Sequence, residues 1–336
     1  MKYHFNKVDT KDIEWDIIES IPGNSIYKTR EWFDFLFRWK KISPFVVSIT
    51  LNDVVVGYFI GEQLKKVIKI IGSPFEGICT SHQGISMLVD ITESERLELY
   101  RNLSKWIFKN KYAWFLQVED WDISMNTIQN TEVYFEGHGG YVIDLTRTEE
   151  ELWSNLSQKS CRYSINKSIK MGITVRQAKS LDEFINTYYE QLVEVFKKQG
   201  LTPTYSKKCI ESLIKALYPQ RILLLEAITQ EGEIAATGIF PGNQNVALFF
   251  GGASFQRFQK LCPNEPLIWE AIKFWKKQGT KIFNMCGIRP YKLKFGPTEF
   301  VKPRIIFAKY HILITMKRIA KSGYYFIRQV LSKFRK

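Results

Sequence analysis

Cysteine is scarce in this chain of 336 residues, and the few cysteines follow no pattern. There are five, an odd number, and no two of them form a C-x-x-C pair. A disulfide framework or a cysteine zinc site is therefore poorly supported, and we expect reduced thiols. The cysteines are Cys79, Cys161, Cys209, Cys262 and Cys286.

Long apolar runs and an export signal are also missing. No uninterrupted apolar stretch approaches the roughly 18 residues of a membrane-spanning helix. The residues that follow Met1 contain no apolar signal region. Hydrophobic residues make up 45% of the chain and aromatic residues 15%, which is enough for a sizeable core. We therefore expect a folded cytoplasmic protein.

Familiar catalytic motifs and, in one region, acidic residues are absent. The chain contains no H-E-x-x-H, G-x-S-x-G, Walker or G-x-G-x-x-G sequence. From residue 300 onward there is no Asp or Glu but there are ten Lys or Arg, so these carry ten of the net fourteen positive charges. The remaining body is only mildly basic, which argues against a protein organised around DNA.

Secondary-structure patterns recur in the two halves of the chain. The first half reads as a β-hairpin, a third strand at 66–71, a helix at 93–110 and a strand at 113–119. The polar, glycine-containing stretch 120–140 predicts a domain boundary, after which a similar order begins again. The predicted domains are 1–140 and 141–307, followed by a basic tail at 308–336.

Charged residues in two places are candidates for chemistry. Asp120 follows the strand at 113–119, and a carboxylate there is able to deprotonate an amine. Arg162 and Lys167 lie on a basic helix that opens the second half, where an arginine can bind a phosphate through two hydrogen bonds. The alternatives are a structural carboxylate at a strand end and a solvated helix face.

Two segments near the end of the second half complete the candidates. Gly251, Gly252 and Ala253 end an apolar strand, where glycines allow the close approach of a ligand; a tight strand exit is the alternative. Farther on, a turn at 263–266 precedes an amphipathic helix and a strand, and a basic loop follows. That loop is Tyr291–Gly296 and contains Tyr291, Lys292 and Lys294.

This order of strand, helix, strand and basic loop resembles an acyltransferase domain of the GNAT superfamily, and in particular the Fem-type peptidyl and aminoacyl transferases. In those proteins a k-x-R-x-x-I-x-K segment follows a v-D-L strand, which is Val142–Leu145 here, and Tyr291–Gly296 is similar to their F-K-x-x-F-G signature. The resemblance implies an α/β (α+β) fold of tandem GNAT-like domains. Their sheets would be mixed, mainly antiparallel and flanked by helices.

The resemblance also implies roles for the candidate residues. The catalytic pair would be Lys292, which stabilises developing charge, and Asp120, which takes a proton. The donor would be an acyl-CoA or an aminoacyl-tRNA, lying against Gly251, Gly252 and Ala253, and no metal would be needed. The residues that would bind the substrate are Arg162, Lys167, Tyr291 and Lys294.

The tail at 309–336 combines an apolar helical stripe with positive charge only. This pattern predicts a basic amphipathic helix in peripheral contact with the inner face of a bacterial membrane. A helix docked on the domain and a nucleic-acid tail are the alternatives. The stripe comprises Ile312, Met316, Ile319, Gly323, Phe326 or Ile327, Val330 and Phe334.

The function implied by the resemblance is acyl or aminoacyl transfer to an amine or hydroxyl of a cell-envelope glycan precursor, free or lipid-linked. tRNA would take part only as a donor. One alternative is an acetyl-CoA-dependent N-acetyltransferase that acts on a nucleotide-linked amino sugar. A non-catalytic, membrane-associated scaffold in polysaccharide assembly is the other.

Overall fold

The computed structural model describes residues 3–65 and 68–333, without the side chains of residues 65 and 324–333. The strands are β1 (His4–Val8), β2 (Ser43–Leu51), β3 (Val54–Lys65), β4 (Lys69–Ser73), β5 (Gly84–Met87), β6 (Phe115–Glu119), β7 (Tyr134–Asp144), β8 (Thr174–Gln177), β9 (Ile222–Ile228), β10 (Ile234–Pro241), β11 (Val246–Leu248), β12 (Gly251–Ser254), β13 (Ile282–Asn284) and β14 (Thr298–Ala308). The α-helices are α1 (Trp15–Ser20), α2 (Arg30–Lys40), α3 (Glu93–Lys109), α4 (Met125–Gln129), α5 (Glu149–Asn155), α6 (Tyr163–Lys170), α7 (Leu181–Lys198), α8 (Lys207–Leu217), α9 (Asn264–Lys277) and α10 (Ile312–Lys333).

The described residues group into two compact units. The first unit contains the chain up to His138 together with the residues from Val301 onward, and the second unit is Gly139–Phe300. The predicted division at residues 140 and 307 stays a prediction.

The first unit is built on a mixed sheet in which antiparallel pairs dominate. Its strands run in the order β1-β2-β3-β4-β6-β14, β5 pairs with β3, and β4 with β6 is the parallel pair. The predicted helix at 93–110 is confirmed as α3, which begins at a reciprocal capping box between Thr92 and Glu95. Its apolar face, including Leu103 and Ile107, is buried in the core of this unit.

The basic tail forms α10, and the described part of its first half docks on the first unit. Leu313 and Ile314 pack against a small buried cluster of Ile70, Phe115 and Ile306. The tail positions Phe334, Arg335 and Lys336 lie outside the described residues, as do the side chains of Phe326, Ile327, Arg328, Val330 and Lys333.

The second unit contains two sheets with helices packed on them. One has the order β12-β10-β9-β8 and is antiparallel throughout; in the other, β13 pairs with β11 in parallel and with the end of β7 in antiparallel fashion. The core between strands and helices includes Phe240, Phe283 and Trp275. These mixed, mainly antiparallel sheets confirm the predicted fold class.

Three predicted boundaries were wrong. The strand that contains Val142–Leu145 begins earlier than predicted, at Tyr134, so β7 runs through the glycines of the stretch 120–140, and a Cβ on Gly140 would lie 2.7 Å from the Phe300 ring. The glycines there mark close packing of a strand. The helix predicted from Leu267 already begins at Asn264, since a proline is tolerated in the first turn. The third strand lies at Lys69–Ser73, and residues 66 and 67 of its predicted range are outside the described residues.

Candidate active site

The two sheets of the second unit separate at a pair of consecutive residues. The amide N–H of Phe249 donates to the carbonyl of Asn284 on β13 at 2.9 Å, and that of Phe250 donates to the carbonyl of Ile239 on β10 at 3.1 Å. The chain therefore leaves one sheet and joins the other between these two residues. Beyond this point β12 pairs only with β10 in the part of the second unit that the structure describes.

The side of β12 that faces away from β10 has backbone groups without a strand partner among the described residues. Phe255 donates to the carbonyl of Ala235 on β10 at 3.2 Å, and backbone groups of an antiparallel strand face the partner at every second residue. The carbonyls of Ala235 and Ile239 both face β12, so Gly238, which alternates with them, faces away from it. Gly252 lies directly opposite Gly238, and its N–H and C=O therefore point away from β10. The glycine prediction is corrected in one respect: Gly251, Gly252 and Ala253 do not leave a strand but begin a new one.

Gly251 lies against a pair of tyrosine hydroxyl groups. The Oη atoms of Tyr188 and Tyr205 are 2.7 Å apart, and a Cβ on Gly251 would lie 2.3 Å and 2.6 Å from them. Only glycine fits there. Burial of Tyr188 raises the pKa of its hydroxyl well above the usual value, so this group stays protonated. The sequence analysis missed both tyrosines because each lies on or before a helix with no motif around it.

Lys292 is held by backbone carbonyl groups. The predicted loop is a 3-10 helix, Pro290–Phe295, which turns the Lys292 side chain towards the chain just after β13. Its ammonium donates to the carbonyls of Met285 (2.7 Å), Gly287 (3.2 Å) and Cys286, and the residue is only 7% exposed. Burial lowers the pKa of Lys292. These contacts fix the segment that continues from β13.

The other two residues of this segment differ in their surroundings. Lys294 forms a partly buried ion pair with Glu265, in the first turn of α9, so its charge is already compensated. Tyr291 has an exposed side, 49% of the residue, although burial of its hydroxyl group raises the pKa to about 12. Of the two, Tyr291 is the residue with an exposed side chain.

The basic helix of the second unit packs beside this segment. Arg162 ends a π-helical turn, Gln158–Arg162, that leads into α6, and the amide of Ser157 donates to the carbonyl of Lys294 at 2.9 Å. The structure thus places the Arg162 segment next to the Lys294 segment. The buried Nε of Arg162 has no hydrogen-bond partner among the described residues, and Lys167 is half-buried on α6.

Asp120 lies in the first unit and is fully engaged. It is 2% exposed, and its Oδ2 accepts hydrogen bonds from Arg96 at 2.9 Å and from the Tyr100 hydroxyl. Arg96 also pairs with Asp122 at 3.0 Å. The predicted role of Asp120 as a base stays a prediction, and its partners are those of a structural carboxylate.

A second buried carboxylate of the first unit escaped the sequence analysis. Glu119 contacts the imidazole Nδ1 of His138 at 2.6 Å and the guanidinium of Arg304 at 2.9 Å. Arg304 lies directly opposite Glu119 in the pairing of β14 with β6. Glu119 and Arg304 have opposite charges, but they lie on two strands whose pairing the sequence does not reveal.

Neither a metal site nor a membrane span is found in the described part of the chain. No group of three or more His, Cys, Asp or Glu residues there is placed to hold a metal ion. No helix in it is long and apolar enough to cross a membrane.

Comparison with known proteins shows the fold. No protein-family model matches the chain, and neither does any curated protein sequence. Among solved structures, FemX superposes with a TM-score of 0.72 at 12% identity, over 93% of this chain and 99% of FemX. The chain therefore has the Fem-type, GNAT-like fold that the sequence motifs predicted.

Two further solved structures have the same fold at low identity. L-PGS from Bacillus licheniformis matches with a TM-score of 0.53 at 14% identity, over 92% of this chain and 94% of that one. The C-terminal domain of a protein assigned as a lysylphosphatidylglycerol synthetase, from Agrobacterium fabrum, also has a TM-score of 0.53, at 11% identity, over 91% of this chain and 93% of its own.

Proposed function

We propose that this protein transfers an acyl or aminoacyl group to an amine or hydroxyl of a cell-envelope glycan precursor. The observation that carries the proposal is the open edge of β12, created where Phe249 and Phe250 bond to different sheets. An extended donor with amide groups can add to this edge as a further strand. The fold shared with FemX and with a lysylphosphatidylglycerol synthetase domain supports the same class of reaction.

The donor is an acyl-CoA or an aminoacyl-tRNA, and the reaction is direct transfer. The acceptor nitrogen or oxygen attacks the donor carbonyl and loses a proton, and the thiol or ribose hydroxyl leaves with a proton. In the second unit, Gly251, Gly252 and Ala253 support the donor chain, and Arg162 and Lys167 hold phosphate. Lys292 keeps the segment after β13 in place, and the exposed side of Tyr291 contacts the substrate.

The proposal is tested first by donor binding. A ligand of the folded state at 100 times its dissociation constant adds about 2.7 kcal/mol of stability, which a thermal-shift titration detects. Acetyl-CoA, free coenzyme A and a charged tRNA are compared. A shift with acetyl-CoA alone would favour the sugar N-acetyltransferase, and a shift with charged tRNA the aminoacyl transferase. No shift with any donor would contradict the proposal and favour the scaffold.

The role of the open edge is tested by one glycine. Gly252→Pro removes an N–H that points away from β10, and proline is tolerated on such an edge. Loss of one hydrogen bond of about 0.5–1.5 kcal/mol should weaken donor binding about 2- to 12-fold relative to Gly252→Ala, whose Cβ meets the Phe249 ring at the same 3.2 Å. Gly252→Ala keeps the N–H and is the matched control. Equal donor affinity of the two variants would refute recognition through this edge.

A further inference from the structure

The described part of α10 has an apolar face that is exposed among the residues the structure describes. Ile312, Met316 and Ile319 are 62%, 58% and 67% exposed and follow the spacing of one helix face. We call these three residues the outer stripe. The opposite face is the docked one, since Leu313 packs on the first unit. A helix held by one face therefore presents a second apolar face to its surroundings.

The basic residues of α10 also lie on two faces, one docked on the first unit and one exposed. Lys317 pairs with Glu136 at 3.4 Å, and Lys321 pairs with Glu136 at 2.9 Å and with Glu76 at 3.3 Å. These two lysines are neutralised within the first unit and hold the helix on it. Arg318 lies on the exposed part of the helix.

A groove with a basic rim runs along the same helix. It has a volume of about 1180 Å³, and α10 forms one wall. Three basic side chains line it, Arg101, Lys105 and Arg318, against one acidic residue, Glu132; we call these three the basic rim. The half-buried apolar residues of its floor include Phe135, Phe307 and Ile314.

Aromatic residues of the kind found at membrane interfaces precede the helix. Trp114 and Tyr310 are 42% and 50% exposed, and their rings meet edge to face with centroids 6.3 Å apart. The exposed Lys309 lies over the Tyr310 ring at 5.4 Å. Tryptophan and tyrosine favour the headgroup region of a bilayer, because their rings are apolar and their polar groups can remain in contact with water.

We propose that the outer stripe and the basic-rimmed groove form one surface that binds an anionic membrane lipid. The stripe enters the apolar layer below the headgroups, the groove floor takes an acyl chain, and the rim binds the lipid phosphate. Charge complementarity selects this occupant, because the rim carries three basic residues to one acidic residue and the chain has no acid after Glu299. The inference is independent of the transfer activity.

The test is vesicle co-sedimentation of the full chain at about 0.1 M salt. Vesicles of phosphatidylcholine alone are compared with vesicles that also contain phosphatidylglycerol. The stripe variant is Ile312→Ser with Met316→Ser and Ile319→Ser, and the rim variant is Lys105→Gln with Arg318→Gln. Arg101 is left unchanged because it also pairs with Glu98. The control variant, Val54→Ser with Val55→Ser, removes two other exposed apolar side chains.

We expect the wild type and the control variant to sediment with anionic vesicles only. The stripe variant should lose at least ten-fold in affinity, and the rim variant about five-fold for each charge removed. All four proteins should keep their thermal midpoint, since the altered side chains are exposed or line an open groove. Vesicle binding by the stripe variant equal to that of the wild type would overturn the proposal.

Two controls separate the other occupants of the surface. Inorganic phosphate at constant ionic strength competes for the rim and not for the stripe, so it should weaken vesicle binding no more than the rim variant does. Complete release by phosphate would show a simple anion site and overturn the proposal. Gel filtration of the wild type and the stripe variant tests for a second copy on the stripe. A wild-type dimer that becomes a monomer in the stripe variant, with vesicle binding retained, would also overturn the proposal.

Discussion

Replacement of Lys292 by methionine separates a structural role of this lysine from a catalytic one. Lys292→Met keeps the length and the apolar stem of the side chain and removes the ammonium. In the structure that ammonium holds the carbonyls of Met285, Cys286 and Gly287. If the lysine fixes the segment after β13, its loss should appear first in the stability of the fold.

The expected magnitude follows from which carbonyls water can reach. Gly287 is exposed and Cys286 half-buried, so water can replace the ammonium there, whereas Met285 is buried. One buried carbonyl without a partner costs about 1–3 kcal/mol. Burial also lowers the pKa of Lys292, because the charged ammonium loses contact with water. This cost offsets part of the stability that the three hydrogen bonds give to the wild type. We therefore expect a loss of about 1–3 kcal/mol in the free energy of unfolding.

Urea unfolding and turnover are measured on the same preparations. Lys281→Met, the same exchange at an exposed lysine of the second unit, is the control and should change little. Lys292→Arg should not restore the wild type, because a planar guanidinium cannot direct its hydrogen atoms to the same three carbonyls. Unfolding equal to that of Lys281→Met, together with lost turnover, would refute the structural role and favour charge stabilisation during transfer.

Three other substitutions give distinct outcomes. Gly251→Ala places a Cβ 2.3 Å from the Tyr188 hydroxyl, so we expect a loss of about 1–3 kcal/mol in urea unfolding and weaker donor binding; an unchanged protein would mean that the tyrosines move freely. Asp120→Asn leaves Arg96 only the exposed carboxylate of Asp122, so thermal unfolding should show a loss of about 3 kcal/mol, the low end for a broken buried ion pair; full stability with abolished turnover would instead favour a base. Burial raises the pKa of Glu62 to about 8, so the folded state binds its proton more tightly than the unfolded state and the wild type loses stability as the pH rises from about 4.5 to 8. Glu62→Gln should not lose stability over this pH range. Thermal midpoints of the wild type and of Glu62→Gln that fall in parallel between pH 5 and pH 9 would contradict the prediction.

Local signals in the sequence predicted the elements well. Thr148 and Glu151, which match the S/T-x-x-E pattern of a capping box, form that box at the start of α5, and Thr29 caps α2 by accepting from the amide of Trp32. Each of these contacts joins residues that are three positions apart, so a short sequence pattern is enough to predict it. The fold class followed because the order of such elements is specific even when single residues are not.

Contacts between distant residues could not be predicted in the same way. Lys317 reaches Glu136 across 181 positions and Lys294 reaches Glu265 across 29, so the sequence showed four charges and no pairs. Each lysine was therefore interpreted as a group available to a ligand. Whether a charge is available to a ligand or compensated by a partner can be decided only when the register of the strands and the docking of the helices are known.

The charges that remain after this pairing bear on the proposed recognition of a donor by the second unit. Lys294 is compensated by Glu265 and Lys292 by carbonyl groups, which leaves Arg162 and Lys167 among the predicted basic residues. In the proposed reaction the donor contact would then depend mainly on backbone groups of β12, with a glycine at Gly251 so that the strand can lie against the two tyrosines. Recognition through the backbone places few demands on side-chain identity, because the hydrogen-bonding groups are common to all residues.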